Sequence, residues 1–234
     1  LAAQLVSGPH MQDDQEVLIV TLVNSAVDNF SRQIGAFMQA RGLLSNFGYR
    51  VRTLHGLAND IVRERPGLVG LAEDFQIVDE READEILQDS VASWLRAADN
   101  VADLYLAPDL DDGQRDHALR NQWPDLITDV ARVFIRQAKD RELTPEQLRE
   151  FLAESEQPLP LVEIGLPIYE TYQRGLTYRG AVDFQDLIRL ALRALESDED
   201  YLKRLRRRWP FILEDEAQDS SKLQEKILRR LVGV

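Results

Sequence analysis

Phe211-Ile212-Leu213-Glu214-Asp215-Glu216-Ala217-Gln218-Asp219 is the stretch on which the rest of the chain turns. Its apolar opening describes a strand buried within a sheet. The strand runs straight into two carboxylates, Asp215 and Glu216, and open parallel sheets bind their ligands at the carboxyl ends of the strands. Mg²⁺ is a hard cation that takes carboxylate, water and phosphate oxygens, so the first acid suits holding the metal, directly or through water. The second is placed to position and deprotonate an attacking water. Acidic pairs after strands are common; the specific signal is all nine residues together, with Trp209-Pro210 before them and Leu223-Gln224 after.

Working outward, Val17 to Val23 is a continuous, mostly β-branched apolar run, the pattern of a parallel strand covered on both faces. Asn24-Ser25 then reads as an N-cap for a helix through about Ala40. A second strand, Tyr49 to Leu54, leads to a helix from Leu57 to Arg65 that Pro66-Gly67 stops. Near the other end, Asp183 caps a helix from Phe184 to Leu195. Lys203 to Arg208 is basic, either a solvated helix face or a nucleic-acid contact. Ser220 or Asp219 caps a last helix, where Leu223, Ile227 and Leu231 repeat at four-residue spacing. The strand and helix alternation predicts an α/β fold with a parallel sheet.

Between these ends the pattern turns helical. After a short strand at 76–78 capped by Asp79, helices are expected at Glu80 to Ala98, Pro124 to Lys139, Pro145 to Ala153 and Pro167 to Leu176, with a solvated loop over 106–122. Thr144-Pro145-Glu146-Gln147 carries a capping Thr, Pro at the first helical position and Gln three residues after the cap. The expected division is residues 1–70 and 166–234 for the sheet domain, interrupted by an all-helical subdomain at 71–165.

The net charge of −13 speaks at first against a polyanionic partner. Its distribution changes that. Residues 71–165 hold 23 Asp and Glu against 9 Lys and Arg, a balance of −14, while the remainder holds 18 against 19. The acidity belongs to the helical insertion. The chain has no cysteine, which excludes a disulfide framework and thiolate metal sites and fits a reducing cytoplasm. No apolar run approaches the roughly 20 residues a membrane span needs. Leu1 to Leu5 has apolar residues at helical spacing and no initiator Met, so the start reads as the middle of a helix.

The Asp-Glu-Ala-Gln-Asp run after an apolar strand resembles the Walker B motif of the UvrD, Rep and PcrA-type superfamily 1 DNA helicases. Three further segments fall in the family's order. Val20-Thr21-Leu22-Val23-Asn24-Ser25-Ala26-Val27 resembles T-[FY]-T-N-x-A-A. Thr53-Leu54-His55-Gly56-Leu57-Ala58 resembles T-[FY]-H-[SG]-[LF]-A. Asp183-Phe184-Gln185-Asp186-Leu187 resembles D-F-x-D-L. The resemblance implies an incomplete RecA-like domain using Mg and ATP, with Asp215 and Glu216 at the metal, Asp215 as its ligand, Glu216 as catalytic base, and Gln218 sensing the γ-phosphate or passing its presence on toward the DNA site. It further implies contact with single-stranded DNA at Thr21, Asn24, Thr53 and His55, 3′ to 5′ translocation, and a second RecA-like domain in the same parent chain. No catalytic role is carried onto the D-F-x-D-L segment.

Departures from the family sharpen the reading. Leu22 and Leu54 stand where an aromatic residue usually stacks on a base, so contact there falls to backbone and polar groups. Glu214 replaces an apolar residue and must be paired, protonated or at the sheet edge. None of the 234 residues forms the G-x-x-G-x-G-K-[ST] phosphate loop. The expectation is therefore a helicase fragment inactive by itself. The rival reading is a non-catalytic module that binds nucleic acid or protein on the same fold; a helicase–nuclease of the RecB type is a further alternative.

Overall fold

The computed structural model describes residues 1–8, 11–45, 47–98, 101–107 and 109–233. In chain order the first elements are α1 (Ala2–Val6), β1 (Val17–Thr21), α2 (Asn24–Gln39), β2 (Tyr49–Thr53) and α3 (Leu54–Glu64). Then come β3 (Gln76–Ile77), α4 (Glu80–Ala97), α5 (Asp112–His117), α6 (Trp123–Asp140), α7 (Pro145–Glu154) and α8 (Pro160–Tyr178). The chain closes with β4 (Ala181–Val182), α9 (Phe184–Ser197), α10 (Glu199–Arg208), β5 (Phe211–Glu214) and α11 (Lys222–Val232).

Two compact units result, one from Leu1–Glu73 with Leu187–Val234, the other from Asp74–Asp186. The second crossing thus lies about twenty residues beyond the expected 165/166, because α8 packs against α4, α6 and α7 rather than on the sheet. The sheet of the first unit has the order β2-β1-β5, all parallel. Every residue of β1 is buried, as its unbroken apolar run requires of a strand with a neighbour on each side. Val17 and Ile19 pack with Ala3, Ile34 and Met38 of α1 and α2. Leu18 and Val20 alternate to the opposite face and are equally buried. In the same unit Glu16 accepts hydrogen bonds from Arg50, Arg208 and Trp209, tying together the starts of all three strands.

The helical unit has its own core, where Ile86, Leu87, Ile127, Ala131, Ile135, Ile168, Tyr169 and Leu176 meet. Its two short strands pair in parallel, Gln76 beside Ala181 and Ile77 beside Val182. Asp79 and Thr144 cap as expected, each within a capping box.

Several boundaries differ from the expectation for physical reasons. Helix α8 begins at Pro160, and Pro167 sits inside it on the exposed side, where its ring needs no room in the core. The segment 106–122 is no simple loop: Asp111 and Gln114 form a capping box that starts α5, and Ala118–Gln122 continues as one π-helical stretch. Pro108 lies outside the described residues. Helix α3 starts at Leu54 rather than Leu57 because Thr53 caps it, its hydroxyl accepting from the Gly56 N–H at 3.0 Å. Helix α11 is capped by Ser221, which alone has a Gln three residues on to close the box; Ser220 and Asp219 do not serve. Asn24 is no cap either, since Val23 holds that position in extended conformation and Asn24 is the first helical residue.

Candidate functional site

The site is a consequence of register. Parallel pairing sets Thr21 beside Thr53 and Val20 beside Glu214, so all three strands end along one edge. The Asp215 N–H donates to the Val20 carbonyl at 2.9 Å, extending the ladder one residue past β5 and fixing where the Asp215 side chain starts. Glu216 then leaves the sheet with φ 59° and ψ 40°, a left-handed conformation that an L-residue adopts only at a cost. A sharp reversal just past the strand turns its side chain away from the sheet interior, and Glu216 is exposed. Gln218 donates from Nε2 to the Glu216 carboxylate, bringing two of the expected site residues into contact.

Glu214 resolves as a strand-end residue, exposed at the outer strand of the sheet, where its Oε1 accepts from the Ser220 hydroxyl at 2.6 Å. That bond closes the loop from 215 to 219 at its base. The carboxylate expected to be costly in a buried strand is thus hydrated and paired.

Asp215 is half-buried, and among the described residues its carboxylate has no hydrogen-bond or ion-pair partner. It borders an open cleft of about 550 Å³ that is walled mainly by apolar residues of α1, α2 and β5, including Ala3, Phe30, Ile34 and Ile212. No three His, Asp or Glu side chains converge to cage a metal among the described residues. Mg²⁺ at nucleotide sites takes only one or two carboxylates and completes its octahedron with water and phosphate oxygens, so an Asp215 with open coordination fits it.

The expected DNA-facing residues divide. Asn24 is exposed, with no capping duty. Thr53 is half-buried; its oxygen accepts the cap bond and its O–H stays able to donate to a phosphate. His55 lies half-buried on the first turn of α3. Thr21, however, is 2% exposed, so its hydroxyl is not presented to solvent, and the turn that follows it is what reaches the surface. Leu54 is likewise buried, packed into α3's inner face rather than poised to stack on a base.

The basic stretch falls on α10 and is largely neutralised at home. Arg204 pairs with Glu64, Arg207 with Asp14 and Arg208 with Glu16, while Lys203 lies 3.6 Å from Asp200. Arg206 donates to the Arg230 carbonyl. A buried hydroxyl completes this face: Tyr201 donates to the Ile61 carbonyl, and burial, then the Glu64 charge, push its phenol well above the ordinary value.

A small parallel sheet flanked by helices, with an acidic pair at its carboxyl edge and a helical insertion, has the architecture of part of a RecA-like helicase domain. The family model described as UvrD/REP helicase N-terminal domain matches residues 2–234, and the chain belongs to that family. It is 27% identical over 217 residues to DNA helicase II of Escherichia coli (strain K12), covering 93% of this chain and 25% of that protein. DNA helicase II of Haemophilus influenzae is 25% identical over 217 residues, again 93% of this chain and 26% of that protein. The ATP-dependent DNA helicase PcrA of Leuconostoc citreum is 28% identical over 218 residues, 92% of this chain and 24% of that protein. The chain spans about a quarter of the length of these relatives. No helix among the described residues is long and apolar enough to cross a membrane.

Proposed function

We propose that these 234 residues are the part of an ATP-dependent, cytoplasmic DNA helicase that holds Mg-ATP at one end of a sheet edge and meets single-stranded DNA at the other. The observation that carries this reading is the register: the turns after β1 and β2 and the Asp215-Glu216 pair after β5 lie along one carboxyl edge. Names of the relatives supply the ATP and the DNA; the edge supplies an arrangement in which both act through one rigid sheet.

Asp215, half-buried and without a competing partner, holds Mg²⁺, which when bound offsets charge on the phosphates. Glu216 takes the proton of the attacking water, and its exposed carboxylate is steered by Gln218. Gln218, in contact with Glu216, senses the γ-phosphate through a change in this hydrogen bonding. On the DNA side, Asn24, Thr53 and His55 face the strand, while Thr21 shapes the turn from inside. The parent protein supplies the phosphate loop and a second RecA-like domain, and moves 3′ to 5′.

The test uses the parent protein. Asp215→Asn weakens Mg-dependent nucleotide binding together with turnover. Glu216→Gln leaves Mg-ATP affinity nearly intact and lowers kcat by about 10²–10⁴-fold, the usual contribution of a positioned general base. A Glu216→Gln protein with near-normal kcat ends the assignment of Glu216 as base.

A further inference from the structure

Lys139 is one of four lysines in the chain, and its side chain is 0% exposed. It lies in the last turn of α6, inside the helical unit. An ammonium group so placed is tolerable only if it is paired and hydrogen-bonded. Here two carboxylates accept from it beside an aromatic ring. Nζ lies 2.5 Å from Asp183 Oδ2 and 2.9 Å from Asp186 Oδ2, and it sits 5.0 Å from the centre of the Tyr172 ring. The Tyr172 hydroxyl donates to the same Asp183 oxygen at 2.7 Å, and the Asp186 N–H donates to the other at 2.7 Å. Burial pushes the Asp183 carboxyl up, but Lys139 and these hydrogen bonds hold it below its ordinary range.

Both aspartates belong to Asp183-Phe184-Gln185-Asp186-Leu187, the motif to which neither metal binding nor proton transfer assigns a task. The place matters. Asp183 follows β4 directly, and the chain leaves the helical unit at Asp186. The β3 and β4 pair fixes the entry and exit strands side by side through two residues each, too short a ladder to hold by itself.

We propose that Lys139, Asp183, Asp186 and Tyr172 form a charge lock that fastens the exit of the helical unit, and that the Asp-Phe-x-Asp-Leu segment serves to bury this one lysine. The lock demands a lysine. A compact ammonium reaches two carboxylates while lying beside a ring face, whereas the planar, larger guanidinium of arginine does not fit the same space. Cutting one partner leaves uncompensated buried charge, while neutralising the whole set at similar volume does not.

Backbone hydrogen exchange on the 234-residue protein tests this, with the Asp186 N–H as the direct reporter. Lys139→Met, nearly isosteric, is expected to lower protection over residues 181–187 by on the order of 10²–10³-fold. Lys139→Arg is expected to fall at least tenfold as well. The triple variant Lys139→Met, Asp183→Asn, Asp186→Asn is expected to regain most of the lost protection. If Lys139→Met unfolds the helical unit outright while the triple variant stays folded, the lock stands. Unchanged protection in Lys139→Met, full rescue by Arg, or a triple variant no better than Lys139→Met overturns it, the last because filled volume rather than balanced charge would then be what the site needs.

Discussion

Glu216 offers a prediction that separates its chemistry from its fold. Its φ of 59° matches that of Glu142, at 61°, the other non-glycine residue with positive φ among those described. Glu142 follows α6 in a helix-ending turn and has no part in the proposed chemistry. A side chain in this conformation costs about 1–2 kcal/mol because Cβ crowds the following carbonyl. Glycine escapes that cost but gives up about 0.5–1 kcal/mol of unfolded-chain entropy relative to alanine. At an ordinary position alanine is therefore the more stable of the two; here the order reverses. Glu216→Gly should be more stable than Glu216→Ala by about 0.75 kcal/mol, the difference between the midpoints of those two terms, and the pair at 142 should show the same gap. Comparing the two variants at one site cancels the exposed Gln218 bond, which both lose. Urea denaturation followed by circular dichroism reads the gap directly. An alanine variant as stable as the glycine variant at 216, with the expected reversal at 142, would refute strain at the proposed base. The reversal at both sites would show that the left-handed backbone, and not the chemistry proposed for Glu216, sets this cost.

Three further outcomes follow from the structure. Glu16→Gln should destabilise the sheet unit by roughly 1–3 kcal/mol, because three donors, two of them cationic, lose a charged acceptor. Burial raises the Glu16 carboxyl, but Arg50, Trp209 and Arg208 outweigh it and hold the group below 4.5, so its stabilisation is complete above that pH and drains away as pH falls through the lowered value; acid titration of the wild type and of Glu16→Gln should converge at low pH. Gly165→Ala should cost about 1–3 kcal/mol despite better helix propensity, since an added Cβ would stand 2.4–2.8 Å from three ring atoms of Phe134, and a thermal melt that rises instead would show that the ring moves freely. A protein of these 234 residues alone should hydrolyse no ATP above background, having no Gly-Lys phosphate loop, and DNA-stimulated turnover in a steady-state assay would defeat that expectation.

How much of this was legible depended on the range of the interaction. The β1 run Val-Leu-Ile-Val-Thr announces a strand covered on both faces, and it is the central one. Yet the same unbroken run has no alternation, so nothing in it said that Thr21 would be buried rather than presented at the edge. Capping boxes are local, and those at Asp79 and Thr144 are readable for that reason; the one at Asp111, an Asp-x-x-Gln, lies among loop-forming residues that mask it. Pro160 and Pro167 both satisfy the rule for a first helical residue. Only the buried positions Ile164, Gly165 and Leu166, lying between them, decide for the earlier one.

Lys139 marks the other limit. In the sequence it ends an amphipathic helix among charged neighbours, Lys-Asp-Arg-Glu at 139–142, and by every local criterion it belongs in water. Its partners stand 44 and 47 residues away. From the other side, Asp183 reads as a helix cap, which it is, since it accepts from the Asp186 N–H; the cap explains one carboxylate oxygen and leaves the second without a purpose. A motif with two aspartates three residues apart needs only one of them to cap. The surplus acid is the local trace of a buried cation elsewhere, and a lysine-poor chain narrows the search to four candidates. Three of these are exposed, which leaves Lys139.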